Sequence, residues 1–297
     1  MSPSDLDPPG LAEDEDDDIE TLFLPPPDPQ TCRDSDFSKP VKVAGNISRA
    51  EFRAFWTDVL QADSWTLSLI DQGYKLPLSA DPPPYQERNN KSARSEGPYL
   101  TSSVASLKER GVVKKLRCRP HCVNPLTVAS RTVDGILKKR LCIDLSQHVN
   151  KFLKQAAMLM STLDKSLLLV QPGDWMATYD LTSAFHHIPI HPDHHKYLGF
   201  SITNEAGEEE FYAYTCMPFG LATATRAIVR YAALQGIRNC LYIDDGWLGA
   251  ASKELCAEQL TLMLSIWSRA GFVIAPDKTD TTQSISQVKP YLGFVIN

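Results

Sequence analysis

The chain has 297 residues, 43% hydrophobic and 22% charged, with a formal net charge of −6 and seven cysteines. That length and apolar content suit one large or two modest domains with a buried core, which excludes a wholly disordered chain. No apolar run approaches the roughly 20 residues of a bilayer-spanning helix, and Met1-Ser2-Pro3-Ser4-Asp5 is no signal peptide, so a soluble intracellular protein is expected, in cytoplasm or nucleus, with reduced thiols.

Charge is segregated along the chain. Residues 1–36 hold 12 Asp or Glu and one Arg, which leaves 29 basic and 24 acidic residues in the remainder, a mildly basic body of +5. Such a body is compatible with a polyanionic partner without demanding one. Residues 1–44, with Glu13 to Asp18 all acidic and Pro25-Pro26-Pro27 after them, are expected to form a disordered acidic tail. Within it, Leu22-Phe23-Leu24 is either a docking stretch for a protein partner or part of a solvated linker.

Residues 45–111 read as a helical extension. Ser48 followed by Glu51 has the spacing of a capping box, and Phe52, Phe55, Trp56, Val59 and Leu60 then recur at helical intervals. Asp81-Pro82-Pro83-Pro84 and the polar run 86–97 predict an extended surface connection. Leu100 to Glu109 predicts a helix ended by Gly111. In residues 112–160, strands are predicted at 112–116, 122–129 and 137–145, with Asp134-Gly135 turning the last two. Cys118, His121 and Cys122 lack the second ligand pair of a zinc site.

The chemistry is concentrated in residues 161–297. Asn239 to Ile243 and Trp247 to Ala250 read as strands, with Asp245-Gly246 as the turn between them, so Asp244 and Asp245 would sit at a hairpin tip. Met176 to Tyr179 reads as a buried strand ending at Asp180. Pairing it beside the hairpin would bring three carboxylates together, and their mutual repulsion calls for a cation. An all-oxygen set suits Mg²⁺ or Mn²⁺ and, with two ions, phosphoryl transfer. In isolation the same residues would serve as an ordinary turn and a capping aspartate.

Order and spacing go further. Asp180-Leu181-Thr182-Ser183-Ala184-Phe185, Met217-Pro218-Phe219-Gly220-Leu221, Tyr242-Ile243-Asp244-Asp245, Ala275-Pro276-Asp277-Lys278 and Tyr291-Leu292-Gly293-Phe294 resemble the successive palm motifs of a reverse transcriptase. Lys138 to Asn150 resembles its fingers motif, and 121–129 with 185–200 resemble the DIRS-like retrotransposons that use a tyrosine recombinase. The resemblance covers about residues 45–297. It implies an α+β fold with fingers before an antiparallel palm sheet, and RNA-directed DNA polymerisation from dNTPs on a primer-template.

Roles follow by resemblance. Asp180 and Asp244, with the Leu181 carbonyl, would hold the metal, and Asp245 would be auxiliary. Phe185 would exclude a ribose 2′-hydroxyl; Arg140 would grip the triphosphate; Phe219 and Gly220 would lie under the base. Lys278 would face the triphosphate and protonate the leaving group, while Tyr291, Leu292, Gly293 and Phe294 would form the primer grip. The histidines 186, 187, 191, 194 and 195 match an ordinary linker. Two departures stand out: Leu221 to Gln235 is about seven residues short of the family's helix, roughly 10 Å of rise, and Thr225 replaces a proline. No thumb is expected after Phe294. The alternative is therefore a truncated, catalytically weak relative that binds nucleic acid or protein.

Overall fold

The computed structural model describes residues 43–133, 135–154, 167–218 and 232–297. The acidic tail, Phe219, Gly220 and the greater part of 221–235, Thr225 included, lie outside the described residues.

The first helix starts one residue later than its sequence suggests. Asn46–Ser48 forms a three-ten turn, so the cap position of α1 (Ala50–Ala54) falls to Arg49, and the buried Ser48 hydroxyl bonds nothing among the described residues. The capping box therefore does not form. The chain continues as a single π turn, Phe55–Val59, closed by Leu60 N–H donating to Phe55 O. That turn points Trp56 into the core, where its indole N–H donates to Ala270 O at 3.0 Å. Next, α2 (Ser64–Gln72) is capped by Asp63, which accepts from Thr66 N–H at 2.7 Å.

The run 86–97 is only partly extended. After β1 (Tyr85–Gln86) it contains α3 (Lys91–Arg94), and α4 (Gly97–Glu109) starts at Gly97 with Pro98 in its first turn. β2 (Val113–Lys115) follows. The predicted strand 122–129 is divided into β3 (Cys122–Val123) and β4 (Leu126–Val133). Pro125 lacks the N–H a ladder needs, and Asn124 turns its amide inward to donate to Tyr197 O and Gly199 O, each at 2.9 Å. β5 (Ile136–Ile143) pairs with β4, in what is a two-stranded ribbon among the described residues.

The rest comprises β6 (Trp175–Asp180), β7 (Gly199–Thr203), β8 (Glu209–Tyr214), β9 (Arg238–Tyr242), β10 (Asp245–Ala250), α5 (Lys253–Arg269), β11 (Lys289–Tyr291) and β12 (Phe294–Ile296). Two larger sheets result. The order β6-β10-β9 is wholly antiparallel, whereas β1-β3-β7-β8-β2 is mixed, because β3 runs parallel to both β1 and β7. The fold is α+β. No helix of the described residues is long and apolar enough to cross a membrane.

The packing over β6-β10 fixes the end of the chain that carries Asp180 and Asp244. From α5, capped by Ser252, the side chains of Cys256, Leu260, Met263, Ile266 and Trp267 are buried, with the Trp267 ring 6.2 Å from that of Tyr179. Burial of Leu260, Met263 and Ile266 contributes roughly 1.5–3 kcal/mol each. Tyr179 in turn lies opposite Gly246 in the ladder. A Cβ at Gly246 would stand 2.1 Å from the Tyr179 ring, so this glycine is required by close approach. Gly246→Ala should therefore cost about 1–3 kcal/mol or more in thermal or urea unfolding. Gly97→Ala, whose Cβ would meet nothing within 4 Å, should stay within about 0.5 kcal/mol of wild type.

Candidate active site

The hairpin carrying the paired aspartates turns one step earlier than predicted. Tyr242 pairs with Asp245, so the two central residues are Ile243 and Asp244, and Asp245-Gly246 belongs to β10. The positive φ is borne by Ile243, at 63°. A type II′ turn has positive φ at that position and normally uses glycine there. A β-branched residue held so costs about 1–3 kcal/mol, the kind of strain that concentrates at functional sites.

Main-chain bonds lock this tip against β6. Asp180 lies opposite Asp245, Leu181 N–H donates to Asp244 O at 3.0 Å, and Ala275 N–H donates to Asp180 O at 2.9 Å. The hairpin thus reaches Asp180 in register, whatever the length of segment 221–235. The Asp180 side chain is buried; Asp244 is half-buried and Asp245 open. Burial, and then the Asp180 charge, raise the Asp244 carboxyl above the usual aspartate range. Asp245 is raised by loss of hydration and by the charges of Asp244 and Asp180.

Lys278 answers part of this negative charge. Its Nζ donates to Asp180 Oδ2 at 2.9 Å; burial acts to lower the ammonium, but that bond and the three carboxylates outweigh it and raise its pKa. Arg140, on β5 opposite Ala129, acts on Asp244 in the same sense as Lys278. With the ammonium on Asp180, the described residues contain no group of three or more His, Cys, Asp or Glu side chains arranged as a ligand set. The donor chemistry nevertheless suits a hard cation, since it is all oxygen and carries excess negative charge.

All of these groups except Asp245 face one cavity of about 810 Å³. Asp180, Asp244, Lys278 and Arg140 line it, as does Phe185, half-buried in the three-ten turn Ala184–His187 and packed on the main core. The Leu181 side chain is fully buried, so only its backbone is available at the site. Behind the hairpin, β11 and β12 turn through Leu292 (φ 50°) and Gly293 (φ 83°). Tyr291 is buried beneath the hairpin: its hydroxyl donates to Asp245 O at 3.1 Å and lies 3.1 Å from Cys240 Sγ. Phe294 points outward and is 59% exposed.

Four of the five histidines make packing bonds. His187 Nε2 accepts from Val273 N–H, His194 Nδ1 from Leu76 N–H and His191 Nδ1 from Asp193 N–H, while His195 Nε2 bonds Ile190 O. Burial lowers His186 and His187 to about 4, so both are neutral at physiological pH.

Residues 112–296, more than half the chain, match the family described as reverse transcriptase (RNA-dependent DNA polymerase). The chain belongs to the reverse transcriptase family. It is 24% identical over 208 residues to the Gag-Pol polyprotein of walleye dermal sarcoma virus, a match covering 67% of the chain and 11% of that polyprotein. It is 28% identical over 129 residues to the Gag-Pro-Pol polyprotein of squirrel monkey retrovirus, covering 40% and 7%. This reverse transcriptase domain thus spans about a tenth of the curated relatives it matches. Its fold is that of the foamy viral protease-reverse transcriptase solved with RNA/DNA hybrid, at TM-score 0.60, 18% identity and coverage of 75% and 28%. The native prototype foamy virus enzyme gives 0.58, 21%, 75% and 29%.

One wall of the cavity escaped the sequence reading. Tyr99, Ser102, Ser103, Ser106, Leu107 and Arg110 of α4 and its end line it. They recur at i, i+3, i+4, i+7, i+8 and i+11, a polar face away from the buried Leu100 and Val104. The signal was in the sequence as a periodicity of hydroxyls, where periodicity is usually sought among apolar residues.

The raised carboxyls yield a pH prediction. Because the folded Asp244 pKa lies above its unfolded value, ionisation opposes folding once the pH exceeds the unfolded value of about 3.9. Without divalent metal, Asp244→Asn should raise the melting temperature at pH 7. The gain should shrink as the pH falls through the folded pKa and vanish below about 3.9. Paired melts from pH 3 to pH 8 check this; a gain that persisted at the acid end would contradict it.

Proposed function

We propose that this chain is the catalytic part of an RNA-directed DNA polymerase, transferring deoxynucleotides from dNTPs to a primer 3′-hydroxyl on an RNA or DNA template. The observation that carries this reading is the register of β6 against β10, which pairs Asp180 with Asp245 and brings Asp180 and Asp244 to a cavity lined also by Arg140, Lys278 and Phe185. Residues 112–160 then act as fingers and 161–297 as palm. The linker 185–200 and the segment 121–129 favour a DIRS-like element among the family's members. The acidic tail, with Leu22-Phe23-Leu24, suits a protein partner.

Mg²⁺ or Mn²⁺ held by Asp180, Asp244 and the Leu181 carbonyl, with Asp245 at the margin, would supply neutralisation of triphosphate charge and acidification of the primer hydroxyl. The chain's own residues do the rest. Arg140 offers a planar, permanently charged fork to phosphate oxygens. Lys278, released from Asp180, can donate a proton to the departing pyrophosphate oxygen. Phe185 closes the floor of the sugar pocket, and its ring would collide with a 2′-hydroxyl. Phe219-Gly220 supports the base, and the Tyr291–Phe294 hairpin steadies the primer end.

Primer extension on RNA and DNA templates tests the proposal. Asp244→Asn should lower incorporation by about 10²–10³-fold or more; equal extension by this variant would overturn the site. Phe185→Ala should admit ribonucleotides in single-nucleotide incorporation kinetics, and unchanged sugar selection would return Phe185 to a packing role.

A further inference from the structure

Arg110 is a cation without a counter-charge among the described residues. It closes the C-terminal end of α4, is half-buried, and lines the cavity that contains Asp180, Asp244, Arg140 and Lys278. Its Nη2 donates to Ser183 Oγ at 2.8 Å. Among the described residues it enters no ion pair. Arg238, also partly buried, shows the ordinary arrangement: its guanidinium holds Asp174 at both oxygens, with Nη2 2.6 Å from Oδ1. Burial lowers the Arg110 pKa, with Cys216 acting more weakly in the opposite sense. His186, beside it on the cavity wall, is neutral and has a buried Nδ1 bonded to nothing among the described residues.

A partly dehydrated guanidinium that makes one side-chain hydrogen bond among the described residues is costly to maintain unless an anion arrives. Its one anchor also has a geometric meaning. Ser183 is held at φ 51°, in the left-handed region, three residues after Asp180 and two before Phe185. The hydroxyl that Arg110 grips therefore belongs to the same turn that connects the carboxylate to the sugar-pocket ring. Tying the two sets the guanidinium's direction relative to the reacting end of the cavity.

We infer that Arg110 is a phosphate-binding residue for the incoming nucleoside triphosphate, completing a three-cation cradle with Arg140 and Lys278, and that Ser183 is its positioning residue. This deepens the polymerase reading and rests on it for the identity of the ligand. The arrangement fits a polyphosphate chain better than a diester backbone: the three cations line the same cavity, and a terminal phosphate offers several unesterified oxygens to a planar fork.

The test uses the full chain and measures binding, so that failure of catalysis does not obscure it. Calorimetric titration with dTTP, dTMP and inorganic tripolyphosphate in Mg²⁺ would be run on wild type, Arg110→Met, Arg110→Lys and Ser183→Ala. Melting curves and fluorescence titration of a labelled primer-template accompany it. The expected result is a loss of about 10- to 100-fold for dTTP and tripolyphosphate in Arg110→Met, the value of a charge-assisted hydrogen bond or two. Binding of dTMP and primer-template should be unchanged, with partial recovery in Arg110→Lys and an intermediate loss in Ser183→Ala. Three results would overturn the inference: equal dTTP affinity in Arg110→Met; parallel losses for all ligands with a lowered melting temperature, which marks a structural role; or a selective loss of primer-template affinity, which marks a backbone contact. Activity lost on Asp244→Asn with dTTP binding intact would leave both readings standing. A wild-type chain that binds dTTP through Arg110 yet extends no primer would remove the polymerase reading alone.

Discussion

The antiparallel pairing of β6 with β10 is the constraint on which the rest of the site depends. A strand register admits no intermediate values: a slip by one residue would carry Asp180 to the opposite face from its partners. Here the choice is enforced sterically, because only glycine at 246 leaves room for the Tyr179 ring in the opposing strand. Tyr179 is itself pinned by Trp267 of α5. The positions of the carboxylates thus follow from the packing of large aromatic groups one layer below them.

Support comes from a second direction as well. Met176, Cys240, Trp247, Tyr291 and Ile296 form a small core of their own behind the β6-β10-β9 sheet. Through the Tyr291 hydroxyl this cluster holds the main chain of Asp245. A buried hydroxyl that lost this acceptor would leave an unpaired group on each side, so the C-terminal hairpin and the aspartate hairpin are coupled by one bond. The strain at Ile243 is tolerable because the flanking residues are fixed from both faces of the sheet.

Much of this was legible in the sequence because it rests on local rules. The strands around Asp180 and Asp244, the ending of α4 at Gly111 and the pairing of 137–145 with the strand before it follow from apolar runs and turn residues. The misreadings have a common cause in long-range contacts. Gly246 looked like a turn glycine because the ring it accommodates is 67 residues away in the chain. Ser48 and Glu51 had the spacing of a cap, but Asn46, drawn to Gly271 O at 2.6 Å, tightens the preceding turn and moves the start of the helix. Arg110 carried no motif at all; its meaning depends on the turn at Ser183.

The β4-β5 ribbon has a mechanical consequence. Among the described residues no third strand braces it. Its lower part is fastened to the helices beside it, by Asn90 to Thr127 at 2.6 Å, by Ser92 to Val128 N–H at 3.2 Å, and by the Lys139–Glu96 pair at 2.7 Å. Beyond that pair, Ile136 and Leu137 stand exposed at the tip. The ribbon is therefore a lever whose fulcrum lies at Lys139, and Arg140 sits immediately beside the fulcrum. A displacement of the tip would therefore carry Ile136 and Leu137 much farther than the guanidinium next to the pivot, so exposure at the tip and the placing of Arg140 at the cavity are mechanically separable.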